Sequence, residues 1–142
     1  MQNEIWKDVP GSSGMYQVSN TGRVKSVERR VNGPKCNGRI VRERILKPAN
    51  DSDGYKTVVL FNGKTRRTHT IHRLVALAFV PNPDEKKEVD HINAVRTDNR
   101  VENLRWATRK ENGTNPITIQ NCIIARNKRI CEKSTKTILC PI

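Results

Sequence analysis

The sequence predicts an α+β fold, with an antiparallel β-rich first half, a short helix, and then a smaller segment of strands and helix. Three observations carry that prediction. Turn-forming clusters at Gly11-Ser12-Ser13-Gly14, Asn20-Thr21-Gly22 and Asn32-Gly33-Pro34 divide the first third into short strand-like pieces. An Asn62-Gly63 pair stands between two β-rich runs, the usual mark of a hairpin. Later, Thr108-Arg109-Lys110-Glu111 fits the capping box S/T-x-x-E that opens a helix.

Taken in order, residues 15–19 and 23–27 read as strands, and residues 55–61 and 64–71 as the arms of a hairpin. Asn62-Gly63 supplies the positive φ angles of its tight turn. Lys64, Arg66 and Arg67 crowd the turn side of the returning arm, where a groove or a phosphate backbone could receive them. The plain alternative is a solvated edge strand that uses charge against aggregation. Residues 72–79 place Leu74, Val75, Leu77, Ala78 and Phe79 in a short apolar helix, which Pro81 and Pro83 help to end. Thr108 should cap a helix that carries Asn112 in its first turns, and Gly113, Asn115 and Pro116 predict that it is short, bent or restarted near Pro116. Residues 117–142 show poor periodicity, with five Lys/Arg against one Glu, and read as a basic, partly disordered tail that orders on DNA. The chain thus divides at 1–71, 72–116 and 117–142.

With 142 residues, 35% of them hydrophobic and only six aromatic, the chain can build a modest core. Its net charge of +13 and pI near 10.1 favour a polyanion, with nucleic acid the first candidate. The excess is uneven. Residues 23–73 hold 14 Lys/Arg and 4 Asp/Glu, whereas residues 84–111 hold 7 of each, so binding and chemistry separate along the chain. The longest apolar run, residues 74–80, is far short of the roughly 20 residues a membrane span needs. The start Met1-Gln2-Asn3-Glu4 does not read as a cationic targeting leader, and a soluble intracellular protein is expected. Cys36, Cys122, Cys131 and Cys140 form no CxxC pair, so free thiols are expected over a zinc cluster or disulfides.

The chemistry concentrates in residues 90–112. Asp90 and His91 are adjacent, Asn103 follows the histidine by twelve residues, and Asn112 follows nine after that. Val89-Asp90-His91-Ile92-Asn93, Asn103-Leu104-Arg105-Trp106-Ala107-Thr108 and Glu111-Asn112 resemble the HNH nuclease motif in order, spacing and flanking residues. Further upstream, Glu4-Ile5-Trp6-Lys7-Asp8-Val9-Pro10-Gly11 and Tyr16-Gln17-Val18-Ser19-Asn20-Thr21-Gly22-Arg23-Val24-Lys25-Ser26 are similar to the N-terminal module of HNH homing endonucleases from phage genomes and group I introns. The resemblance covers about residues 4–112.

That resemblance implies an N-terminal antiparallel β-sheet DNA-binding module followed by a ββα-metal (HNH, His-Me finger) nuclease core. It implies a site-specific, metal-dependent DNA endonuclease that hydrolyses a phosphodiester bond, nicking one strand. His91 would be the general base, a role that suits a side chain whose neutral form is well populated near pH 7. Asp90 and Asn112 would hold one divalent cation, and such an oxygen-only site selects Mg2+ or Mn2+. Asn103 would tether the loop between strands and orient the base. Arg23, Lys25, Lys64, Arg66, Arg67, Arg105, Arg109 and Lys110 are the expected DNA contacts. The expected partner is double-stranded DNA, met by a monomer with no small-molecule cofactor and no membrane, in a phage-encoded protein acting in the host cytoplasm.

Two departures stand against the family pattern. Asn93-Ala94 replaces the common Asp-Gly, and the tail lacks a convincing helix-turn-helix. Trp106 reads as core, and His69 and His72 as structural. Two other classes stay open: a DNA-binding protein without activity, and a basic RNA-binding protein without catalysis.

Overall fold

Turns that the sequence spells out set the first half of the chain, and one helix collects its apolar faces. The structure, a computed structural model, describes residues 3–32 and 38–137, with side chains through residue 128. In chain order come β1 (Trp6–Asp8), β2 (Tyr16–Ser19), β3 (Val24–Ser26), β4 (Arg29–Val31), β5 (Arg39–Val41), β6 (Arg44–Ile45), β7 (Ala49–Asn50), β8 (Lys56–Phe61) and β9 (Arg66–Thr70). Helix α1 (Ile71–Phe79) follows, then β10 (Glu88–His91), a 3-10 turn (Val101–Asn103), β11 (Leu104–Ala107), α2 (Arg109–Gly113) and α3 (Pro116–Thr137). Every pairing is antiparallel: β1-β2-β3-β6, β4-β5, β7-β8-β9 and β10-β11.

Helix α1 is the hub. Its Leu74, Val75 and Ala76 pack with Val18 and Val24 from the first sheet, Val58 and Leu60 from β8, and Val89 and Leu104 from the last hairpin. One core therefore crosses the division drawn at residue 71, because α1 lends its apolar side to the strands before and after it. Trp106 is half-buried against this core and donates its indole N–H to the Val80 carbonyl at 2.9 Å.

Two local expectations are corrected. In the β8–β9 hairpin only Gly63 has positive φ, at 90°. Asn62 acts through its side chain instead, its Oδ1 accepting the Lys64 and Thr65 N–H groups at 3.1 and 2.8 Å, so the bend centres one residue later. The stretch from residue 117, read as a basic, partly disordered tail, is helical through Thr137. Asn115 and Pro116 start it: Asn115 Oδ1 accepts the Ile117 N–H at 3.1 Å, and proline suits the first helical turn because it has no N–H to leave unpaired. The apolar period is weak because the described side chains of α3 lie largely in solvent, so no buried face imposes a pattern.

Cys122 is a free, exposed thiol, whereas the side chains of Cys36, Cys131 and Cys140 lie outside the described residues. No helix among the described residues is long and apolar enough to cross a membrane.

Candidate active site

The β10–β11 hairpin and α2 gather the site. Register places Asp90 opposite Arg105 and His91 opposite Leu104, so alternation sends the carboxylate to one face and the imidazole to the other, toward α1. The Thr108 capping box is complete: Thr108 Oγ1 accepts the Glu111 N–H at 3.3 Å, and Glu111 Oε2 accepts the Thr108 N–H at 2.7 Å. That hydrogen bond from the Thr108 backbone, with Lys86 in support, holds the Glu111 carboxyl below the usual range. The cap fixes where α2 begins, and hence where Asn112 stands over β10.

Asp90 is 4% exposed. Its Oδ2 accepts Arg105 Nε and Nη2 at 2.9 and 2.7 Å, and Asn115 Nδ2 approaches Oδ1 and Oδ2 at 3.2 and 3.1 Å. A buried carboxyl group needs such hydrogen-bond partners to offset the loss of water. Asn112 donates Nδ2 to Glu88 Oε2 at 2.7 Å, which leaves its Oδ1 without a protein partner among the described residues. Glu88, Asp90, His91, Arg109 and Asn112 share one open cavity of about 870 Å3, which Tyr55 and Arg96 also line. An unshared amide oxygen and a carboxylate on one cavity are hard donors whose chemistry fits a hard divalent cation.

His91 is 5% exposed, and its Nε2 lies 3.1 Å from Asn99 Oδ1. As that amide is oriented, its oxygen accepts the Nε2–H, which leaves Nδ1 as the basic nitrogen. On the other side the His72 ring meets His91 edge-on at 5.1 Å, and Tyr55 covers His72 at 4.9 Å. His72 is therefore not simply core packing: its buried ring backs the site. Burial first, then the neighbouring His91 and Arg73, lower the His72 pKa to about 4.

Asn103 knits the intervening loop. Its Oδ1 accepts the Asn93 N–H at 2.9 Å, and its Nδ2 donates to Asn93 Oδ1 at 2.9 Å and the Asp98 carbonyl at 2.8 Å. Asn93 in turn donates Nδ2 to Asp98 Oδ2 at 2.9 Å, a bond that an aspartate at 93 could not make. Hydrogen bonding to Arg100 holds the Asp98 carboxyl down to about 2. Ala94 takes φ 56°, so the loop keeps the left-handed turn that glycine adopts more easily.

Residues 69–114 match the HNH endonuclease family, and residues 4–61 match the NUMOD4 motif. The DNA endonuclease I-HmuI of Bacillus phage SP01 is 35% identical over 135 residues, which are 94% of this chain and 70% of that protein. The chain belongs to the HNH homing endonuclease family. An HNH endonuclease of Acanthamoeba polyphaga mimivirus, L247, is 35% identical over 131 residues, but this chain spans only 29% of its length. The solved structure of I-HmuI, described as DNA binding and cleavage by that HNH homing endonuclease, superposes with a TM-score of 0.66 at 34% identity. The match covers 90% of this chain and 66% of I-HmuI.

Within this HNH endonuclease, Asp90, His91 and Asn112 meet at one cavity and Asn103 stands behind them in the loop. The expected DNA contacts divide. Arg105 is turned onto Asp90, Arg23 pairs with Glu4, and Lys25 pairs with Glu43 at 3.1 Å while lying over the Trp6 ring. In the structure these three are ion-paired groups, each with a carboxylate distant in sequence. Lys64, Arg66, Arg67, Arg109 and Lys110 have no carboxylate partner among the described residues, so their charge faces solvent. Arg66 and Arg67 project to opposite faces of β9 by strand alternation, so the pair does not line a single groove. Sequence reasoning missed Glu88, Asn99 and Asn115. Asn115 had a signal in the Asn-Pro pair that starts a helix, whereas Glu88 and Asn99 had none.

Proposed function

We propose that this chain is a metal-dependent endonuclease that hydrolyses one phosphodiester bond of double-stranded DNA at a specific site, nicking one strand. The observation that carries the reading is the meeting of Asp90, His91 and Asn112 on one open cavity, with the His91 Nε2 hydrogen-bonded so that Nδ1 is left to take a proton. Water attacking phosphorus must lose a proton, and Nδ1 accepts it. Asp90 and Asn112 Oδ1 would hold one Mg2+ or Mn2+, which supplies charge compensation on the phosphate and on the departing 3′ oxygen. Arg109, at the cavity wall, and Lys110 in the same first turn of α2 place cations for the flanking phosphates. A single site of this kind handles one phosphodiester, which favours a monomer that nicks. The relative from Bacillus phage SP01 supports a phage origin and action inside the host cell.

The test is relaxation of supercoiled DNA carrying the target. Wild-type protein with Mg2+ or Mn2+ should yield open circles, and EDTA should stop the reaction with the far-UV circular dichroism unchanged. His91→Ala should lower the rate on the order of 10² to 10⁴-fold while DNA binding persists. Full activity in His91→Ala would remove the base assignment, linear product from a single event would remove nicking, and binding without cleavage would favour an inactive DNA-binding protein. Loss of the fold in EDTA would point to metal bound by the cysteines.

A further inference from the structure

Asn99 and Gly22 belong to different halves of the chain, yet they touch behind the imidazole. Asn99 is 5% exposed and presents Oδ1 to His91 Nε2 at 3.1 Å. Gly22 closes the β2–β3 turn at φ 86°, and a Cβ added there would lie 2.8 Å from Asn99 Cβ and 3.1 Å from its carbonyl oxygen. Only glycine leaves room for the loop to sit this close. The same turn is fastened to the loop by the backbone, since the Asn20 carbonyl accepts the Val101 N–H at 2.9 Å. Side-chain hydrogen bonds also hold the turn: Ser19 Oγ and Thr21 Oγ1 lie 2.9 Å apart, Thr21 Oγ1 donates to Glu4 Oε1 at 2.7 Å, and Asn20 Oδ1 accepts the Ile5 N–H at 2.9 Å.

From this geometry we infer that Asn99 is a positioning residue for the general base, and that the Asn20-Thr21-Gly22 turn of the N-terminal module holds Asn99 in place. The N-terminal module is then part of the catalytic apparatus as well as a candidate DNA-binding surface. The inference rests on His91 being the base. Its physical content is tautomer and orientation: an acceptor fixed at Nε2 keeps the proton there and leaves the Nδ1 lone pair to take one, whereas a ring without that acceptor divides between tautomers and rotates.

The test uses full-length protein. Asn99→Leu keeps volume without an acceptor, and Asn99→Asp restores an acceptor oxygen. Asn99→Leu should lower single-turnover nicking about 10- to 100-fold, the loss typical of removing a partner that orients an active-site group. Asn99→Asp should recover most of it, and DNA affinity measured in EDTA should be unchanged in both. Long-range 1H–15N spectra of the His91 ring, recorded without DNA or metal, should show the Nε2–H form in wild type and lose it in Asn99→Leu. Gly22→Ala should reproduce the Asn99→Leu spectrum and rate. Where Gly22→Ala does not fold, Thr21→Ala, a milder change of the same turn, should move both readouts in the same direction. Equal loss in Asn99→Leu and Asn99→Asp, or wild-type rate and spectrum in Asn99→Leu, would overturn the role of Asn99. Wild-type behaviour of a folded Gly22→Ala, or of Thr21→Ala in its place, would remove the N-terminal module from the site. An active His91→Ala would instead overturn the base assignment, a separate failure.

Discussion

Asn115 binds Asp90 and starts α3 with the same side chain: its Nδ2 lies 3.2 and 3.1 Å from the two Asp90 oxygens, and its Oδ1 accepts the Ile117 N–H at 3.1 Å. The third helix and the candidate metal ligand are thus joined through one amide. Asn115→Ser should keep a helix cap but lose the donation to Asp90. Helicity by circular dichroism should stay near wild type, while Mn2+ affinity and nicking fall about 10-fold. Asn115→Ala should lose about 1 kcal/mol of stability as well, from the cap. Wild-type Mn2+ affinity in the serine variant would reduce Asn115 to a cap alone.

Salt dependence should separate the open cations from the paired ones. If Arg66 and Arg67 meet phosphates, replacing both with alanine should weaken binding to all sequences and flatten the plot of log affinity against log salt by about 0.9 for each phosphate no longer neutralised. Arg23→Ala should leave that slope nearly unchanged, because Glu4 already neutralises the guanidinium. A slope that moves for Arg23 and stays for the β9 pair would reverse the assignment.

Ala94 offers a stabilising substitution. At φ 56° its Cβ is strained against the backbone, and glycine removes that strain while adding back some chain entropy. Ala94→Gly should raise stability by about 0.5–1 kcal/mol in urea denaturation. A lowered midpoint would mean that the left-handed turn is not adopted in solution.

His72 should shape the acid limb of stability. Its folded pKa, lowered to about 4 by burial and then by His91 and Arg73, lies below the 6.5 expected in the unfolded chain. Between those values the unfolded state binds more protons, so stability is full above pH 6.5 and falls as pH drops toward 4. Denaturant midpoints measured across that window should decline in wild type. In His72→Phe they should decline less, and equal slopes would show that His72 is already exposed to protonation.

What the sequence determined by itself was local in character. The Thr108 capping box, the Asn-Gly hairpin signal, the proline-ended apolar helix and the Asp90, His91, Asn103, Asn112 spacing all concern residues near one another in the chain, where propensity and pattern suffice. The family and its α+β order were legible for the same reason. Tertiary structure alone decided which side chain meets which. Arg105 turned to Asp90, Arg23 to Glu4, Asn115 to Asp90, and Gly22 lay against Asn99 from the far half of the chain. Even α3 escaped the apolar pattern, because a helix whose described side chains lie mostly in solvent carries no buried stripe to announce it. Hydrogen bonds and close approaches between distant segments depend on the packing of α1 against three sheets, and no local preference encodes that placement.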